Sequence, residues 1–242
     1  MPALIIEESQ IPAPLQTIPS KSQNKDNTLD HIVHSRHSTR KFLSTPIPKS
    51  ILLAALELAQ QSPSNSNIQP WRLTIATGAA RDSLRTALLA AASVDQPNIP
   101  PLPQPFTHYR SELGKQVYGE GMGIPHSDVE GRRKAVLRNY EFFGAPTVVI
   151  VSMDKRLGSA DSLSVGMFLQ TFLLKLTEDG VGSCVEVSIV GYPEVVKRVL
   201  GIGEDMEVLC AVAVGFEDTT FKANGLRIGR ERIDFTTTWV EE

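Results

Sequence analysis

The rhythm of apolar and polar side chains changes near residue 28. Before it, prolines at positions 2, 12, 14 and 19 interrupt any period, and Ser20 to Asn27 carries no apolar side chain. That composition predicts a flexible or strapped-on arm over residues 1–27. Folded structure is expected from Thr28, a suitable N-cap for a short helix running to Arg36. Pro46-Ile47-Pro48 opens a second helix. In it Ile51, Leu52, Ala55, Leu58 and Ala59 recur at helical spacing, and Ser62-Pro63 ends it. Trp71 to Ile75 alternates like a half-buried strand. Residues 80–93 are helical in pattern, and the proline-rich stretch Pro97 to Pro105 is too stiff for a helix or a central strand. Two further helical stretches, about 108–119 and 128–141, flank a glycine-rich break at Gly119–Gly123.

Thr147–Ser152 and Val208–Val214 are continuous, β-branched apolar runs of the kind that form buried central strands. Between them, residues 160–179 predict a helix that is apolar on nearly every face, through Leu163, Met167, Phe168, Phe172, Leu173 and Leu176. A helix without a polar face must be covered all round. One small domain rarely does this unaided, so an oligomer with an interface along this helix is expected. The fold class is α+β: a single domain over residues 28–242 in which helices dominate and about four strands form one small sheet.

Composition narrows the function. The 242 residues carry 24 basic and 27 acidic side chains, a net charge of −3, and no basic stripe of the kind nucleic acid requires. Leu163 to Leu176, the most apolar stretch, falls short of the roughly 20 residues that cross a bilayer and contains Gln170 and Lys175. Glu7 and Glu8 stand where a signal peptide would carry basic residues. The two cysteines, Cys184 and Cys210, sit in apolar runs and read as buried hydrophobes. A cytoplasmic protein that engages neither nucleic acid nor membrane is expected.

Two segments carry candidate chemistry. Arg36-His37-Ser38-Thr39-Arg40-Lys41-Phe42 gathers cations and hydroxyls suited to phosphate oxygens. Its plainer reading is a solvated helix C-terminus. Pro63-Ser64-Asn65-Ser66-Asn67-Ile68-Gln69-Pro70-Trp71 offers amides that match a ligand edge of alternating donors and acceptors, or else forms an ordinary polar loop. Other patterns are discounted. His31, His34 and His37 lack a fourth metal ligand at a familiar spacing. Ser38 to Lys41 fits a serine–x–x–lysine pattern without the companion motifs, and Gly119 to Gly123 follows a helix instead of a strand.

Taken together, these segments resemble the flavin-dependent nitroreductase family. Arg36, Ser38, Arg40 and Phe42 meet its first pattern, and Ala59, Ser62, Pro63, Ser64, Asn67, Gln69, Pro70 and Trp71 meet its second. The runs Asn139 to Pro146, Gly180 to Cys184 and Gly191 to Glu194 continue the likeness. Asn224, Arg227 and Arg230 resemble a subgroup's C-terminal tail, which Trp239 closes.

The resemblance implies a small mixed sheet flanked by helices in an intertwined homodimer, with FMN at the subunit interface. It further implies ping-pong hydride transfer from NAD(P)H to a small electron-poor acceptor such as a nitroaromatic or quinone. By the same likeness Arg36 and Ser38, with His37 beside them, match phosphate-holding positions, as do Arg227 and Arg230. Arg40 matches the basic residue at the pyrimidine side of the flavin. Pro63, Ser64, Asn67 and Gln69 match a loop supplied by the partner, and residues 184–188, Val187 included, match a stretch whose backbone amides face the ring, with Glu186 near its reactive edge. Chemistry agrees: a phosphate dianion needs several cations, and a fixed cation near N1–O2 favours the reduced, anionic ring. No side chain is required as a nucleophile. The same scaffold is compatible with dehalogenation, azoline oxidation, flavin breakdown or flavin binding without turnover.

Overall fold

The computed structural model describes residues 28–241, so the arm expected over residues 1–27 lies outside the described residues. Helix α1 (Leu29–Ser35) starts where Thr28 accepts a hydrogen bond from the His31 amide. Helix α2 (Lys49–Ala59) follows the Pro46–Pro48 entry and buries Leu52, Ala55 and Ala59. Strand β1 (Arg72–Thr77) leads into α3 (Gly78–Val94). Next come α4 (Thr107–Gly114), α5 (Val129–Leu137) and β2 (Thr147–Asp154). Helix α6 (Ser159–Glu178), β3 (Gly182–Glu186), α7 (Pro193–Leu200), β4 (Met206–Gly215) and α8 (Ile233–Thr236) complete the order.

The four strands form one sheet in the order β1-β2-β4-β3, with all three pairings antiparallel. The expected mixed character is therefore absent among the described strands. The one parallel pairing is an isolated bridge between Ser38 and Ser183. Alternation along β2 and β4 splits the core in two. Val149, Val151, Val212 and Val214 face α2 and α6 and pack with Phe168, Phe172 and Leu176. Val148, Ile150, Ala211 and Ala213 face the other side, with Leu84 and Leu88 of α3 and Val196 of α7. Trp71 stacks on Phe168 at 4.8 Å and donates its indole N–H to Gln60, fastening the start of β1 to α6.

Three elements depart from the sequence pattern. Helix α4 continues as a π-helical turn through Lys115–Gly121, past the start of the expected break. It stays wound because Gly121 lies against Ala223 and Leu226, where an added Cβ would sit 2.8 Å from each side chain. The stretch expected to be helical to residue 141 ends at Leu137, because Phe142 and Phe143 both take φ of +53° to turn into β2. Strand β3 and helix α7 were not anticipated. The former is short and carries Gly182 and Glu186. The latter has its signal in Pro193 at the first turn and Gly201 in the left-handed cap.

Candidate active site

The segment leaving α1 is fastened at nearly every residue. Thr39 N–H donates to Ser183 O at 3.0 Å, Phe42 N–H to Phe143 O at 3.3 Å, and Leu43 N–H to Phe216 O at 2.8 Å. Arg40 differs, because both of its peptide groups are met by side chains. Its N–H donates to Asn224 Oδ1 at 2.6 Å, and its carbonyl accepts from Arg138 Nη2 at 2.7 Å. Asn224 is buried and also donates to the carbonyls of Lys41 and Asp218. One amide thus ties the N-terminal basic segment to the tail bearing Arg227 and Arg230. Gly182 permits the close approach of β3, since a Cβ there would meet Thr39 Oγ1 at 2.6 Å.

The result is a cavity of about 710 Å³ whose lining includes Arg36, His37, Ser38, Arg40, Arg227 and Arg230. Six sequence candidates from two distant stretches therefore share one space. Gln170 joins them from α6, where it is the one side-chain amide. His37 Nε2 lies 2.9 Å from Glu217 Oε2 and its Nδ1 2.8 Å from Ser35 O, so this ring is anchored in the wall. The arginines are different. Arg40, Arg227 and Arg230 donate to nearby backbone carbonyls, and none of the four has a carboxylate within ion-pair distance among the described residues. Burial and the charge of Arg230 push the Arg36 guanidinium below its ordinary range. Converging, uncompensated cations make an anion site; a phosphate dianion fits this donor set.

The remaining candidates sit elsewhere in the chain. Pro63 borders a separate hollow with Met167, Gln170 and Thr171 of α6, so Gln170 stands on the rim of both spaces. Ser64, Asn67 and Gln69 belong to a loop docked on the first turns of α6, where Asn65 N–H donates to Ser164 Oγ at 3.2 Å. Ser66, Asn67 and Gln69 all have positive φ (48°, 55° and 48°), conformations that cost on the order of 1 kcal/mol or more each. Ser64 Oγ accepts from Gln69 N–H at 3.0 Å and holds the loop in that shape. Asn67 and Gln69 are exposed and do not reach the arginine cavity within one chain.

Glu186 ends β3 and Val187 follows it. Val187 is exposed, whereas Glu186 is buried, with neither carboxyl oxygen bonded among the described residues, and burial pushes its carboxyl well above the usual range. Burial, reinforced by Glu186, pushes the Cys184 thiol up to about 12, and Arg40, Ser38 and Arg36 pull it the other way. Arg138, which the sequence did not single out, holds the Arg40 carbonyl from outside the cavity. It bonds to a main-chain group, and a backbone acceptor leaves no mark in sequence.

Comparison with known proteins identifies the family. The family model described as "Nitroreductase family" matches residues 33–216. The nitrobenzene nitroreductase of Ectopseudomonas oleovorans is 31% identical over 226 residues, covering 88% of this chain and 97% of that one. The 4-nitrobenzoate reductase of Pseudomonas putida is 32% identical over 213 residues, covering 84% and 91%. Among solved structures, the FMN- and NADPH-dependent nitroreductase NfnB of Sphigopyxis sp. strain HMH superposes with a TM-score of 0.85 at 28% identity, over 89% of this chain and 100% of that chain. NfnB of Mycobacterium smegmatis, solved with NADPH, gives 0.81 at 28% identity, over 88% and 97%. A motif set in the right order, a matching fold and converging unpaired arginines lead to one assignment: the chain belongs to the nitroreductase family.

Proposed function

We propose that this protein is an FMN-dependent NAD(P)H oxidoreductase acting on nitroaromatics and related electron-poor acceptors. The observation that carries the reading is the set of four arginines, from both ends of the folded chain, that line one cavity without a carboxylate partner among the described residues. Bound FMN would supply the two-electron redox chemistry that links NAD(P)H to the acceptor.

The protein's part is binding, orientation and electrostatics. Arg36, Arg227 and Arg230 hold the phosphate, with the Ser38 hydroxyl as a further donor. Arg40 stands at the pyrimidine side, where its charge favours the reduced ring. The backbone amides of residues 184–188, Val187 among them, would face the ring, with Glu186 near its reactive edge. In a homodimer, Pro63, Ser64, Asn67 and Gln69 come from the partner subunit and close over the ring. Exposed apolar side chains support that assembly: Leu163 on α6 and Ile233, Phe235 and Trp239 in the tail are between 67 and 77% exposed in the single chain. Among the described residues no helix is long and apolar enough to cross a membrane, and both cysteines are free and buried, in keeping with a reducing cytoplasm.

The test is spectroscopic. Purified protein should be yellow, bleach on anaerobic addition of NADPH or NADH, and regain its colour when nitrobenzene or menadione is added. A protein that takes up no FMN refutes the assignment, and one that binds FMN but never bleaches is a flavin-binding dimer without turnover.

A further inference from the structure

We infer that Arg138 is a positioning residue for flavin reduction, placing Arg40 and adding a second layer of positive charge behind it. This rests on the reading of Arg40 as the cation beside the flavin. Along residues 39–43, the amides of Thr39, Phe42 and Leu43 donate to main-chain carbonyls and that of Arg40 to the Asn224 side chain, all neutral partners. The Arg40 carbonyl instead takes a guanidinium, Arg138 Nη2 at 2.7 Å, from a residue distant in sequence. A neutral donor would satisfy that carbonyl equally well.

The charge is retained at a cost. Arg138 is half-buried, and burial pushes its guanidinium below the ordinary range. No carboxylate lies within ion-pair distance of it among the described residues, and Glu141 acts on it only through space. Its compensation is aromatic. The guanidinium carbon stands 4.8 Å from the centroid of the Phe221 ring and 6.0 Å from that of Phe143. Phe221 is held in turn by its amide, which donates to Asp218 O, in the segment that Asn224 ties to Lys41. A desolvated cation without a carboxylate is costly to keep, and the two rings offset part of that cost while leaving its field unneutralised. That field acts through the Arg40 peptide toward a site already gathering four other arginines. The fork and the stack keep Arg40 in place, and the charge adds to the potential that favours a reduced, anionic ring.

Two substitutions separate these roles. Arg138→Gln retains a neutral donor for the Arg40 carbonyl, and Arg138→Lys retains the charge. Apoprotein is titrated with FMN, and the midpoint potential of the bound flavin is measured against a reference dye. Arg138→Gln is expected to weaken FMN binding roughly tenfold. It should also shift the reduction equilibrium about tenfold toward the oxidised form, about 30 mV for a two-electron couple. Arg138→Lys should retain most of the wild-type potential. A merely structural role would lower the melting temperature without moving the potential, so a wild-type potential in Arg138→Gln overturns the inference. So does an equal fall in both variants, because charge is then not the cause. Wild-type protein that binds no FMN overturns the functional reading itself, whereas a defect confined to these outcomes leaves that reading standing.

Discussion

The cationic cavity and the Ser64–Gln69 loop are the two candidate halves of the site, and they are built on opposite principles. The cavity is assembled inside one chain from residues far apart in sequence, and its arginines have no carboxylate partner among the described residues. The loop is local in sequence and set in strained left-handed conformations, and it leaves Asn67 and Gln69 exposed. The first stores electrostatic repulsion that a ligand relieves. The second stores backbone strain, which the proposed homodimer would use for a contact across its seam. In the proposed homodimer such a site would be complete only with ligand and second copy both present, so binding and assembly would reinforce each other.

The largest expected effect falls on the cavity. Arg36→Ala should weaken FMN binding by about 100-fold, close to 3 kcal/mol, since it removes a partly buried cation from a charged contact. The dimer should persist, as judged by sedimentation. Retention of stoichiometric FMN at submicromolar concentration would break the comparison, because the arginines would then not be the anion site.

The loop should respond more mildly. Asn67→Ala is expected to cost about 1 kcal/mol of FMN affinity, roughly fivefold, the net worth of an ordinary hydrogen bond. That loss should appear in FMN titrations above the dimer dissociation constant and vanish below it. An equal loss at all protein concentrations would place the loop's contact within its own chain.

The smallest effect concerns the sheet edge beneath the cavity. The folded-state pKa of Glu186 is raised well above 4.5, so the folded protein keeps a proton that the unfolded chain loses. Stability therefore declines as pH rises from about 4.5 toward the folded pKa. Glu186→Gln stays neutral throughout, so it should melt with wild type near the lower end of that window and above it at pH 8. Parallel melting curves across this range would show that the carboxyl is ionised in the fold.

Much of this was legible beforehand, for identifiable reasons. Helices α2, α3 and α6 carry apolar side chains at helical spacing, and β2 and β4 are unbroken β-branched runs, so local pattern and tertiary role agree. Strand β3 was not legible, because Gly182 serves the close approach of Thr39 and Glu186 is a buried carboxyl in a strand. The π-helical turn was hidden for a similar reason. Gly119 and Gly121 look like a break, yet Gly121 is small so that Ala223 and Leu226 can pack on it.

The site divides along the same line. The arginines, hydroxyls and amides are written in two short motifs and a tail, and their chemistry follows from residue type alone. Sequence therefore determined what the site is made of. That Arg36 feels Arg230, that Asn224 binds both segments, and that Arg138 holds the Arg40 carbonyl were decided by tertiary structure. Charge and hydrogen-bonding capacity belong to a side chain wherever it stands, but repulsion, desolvation and bond geometry exist only between groups that the fold has brought together.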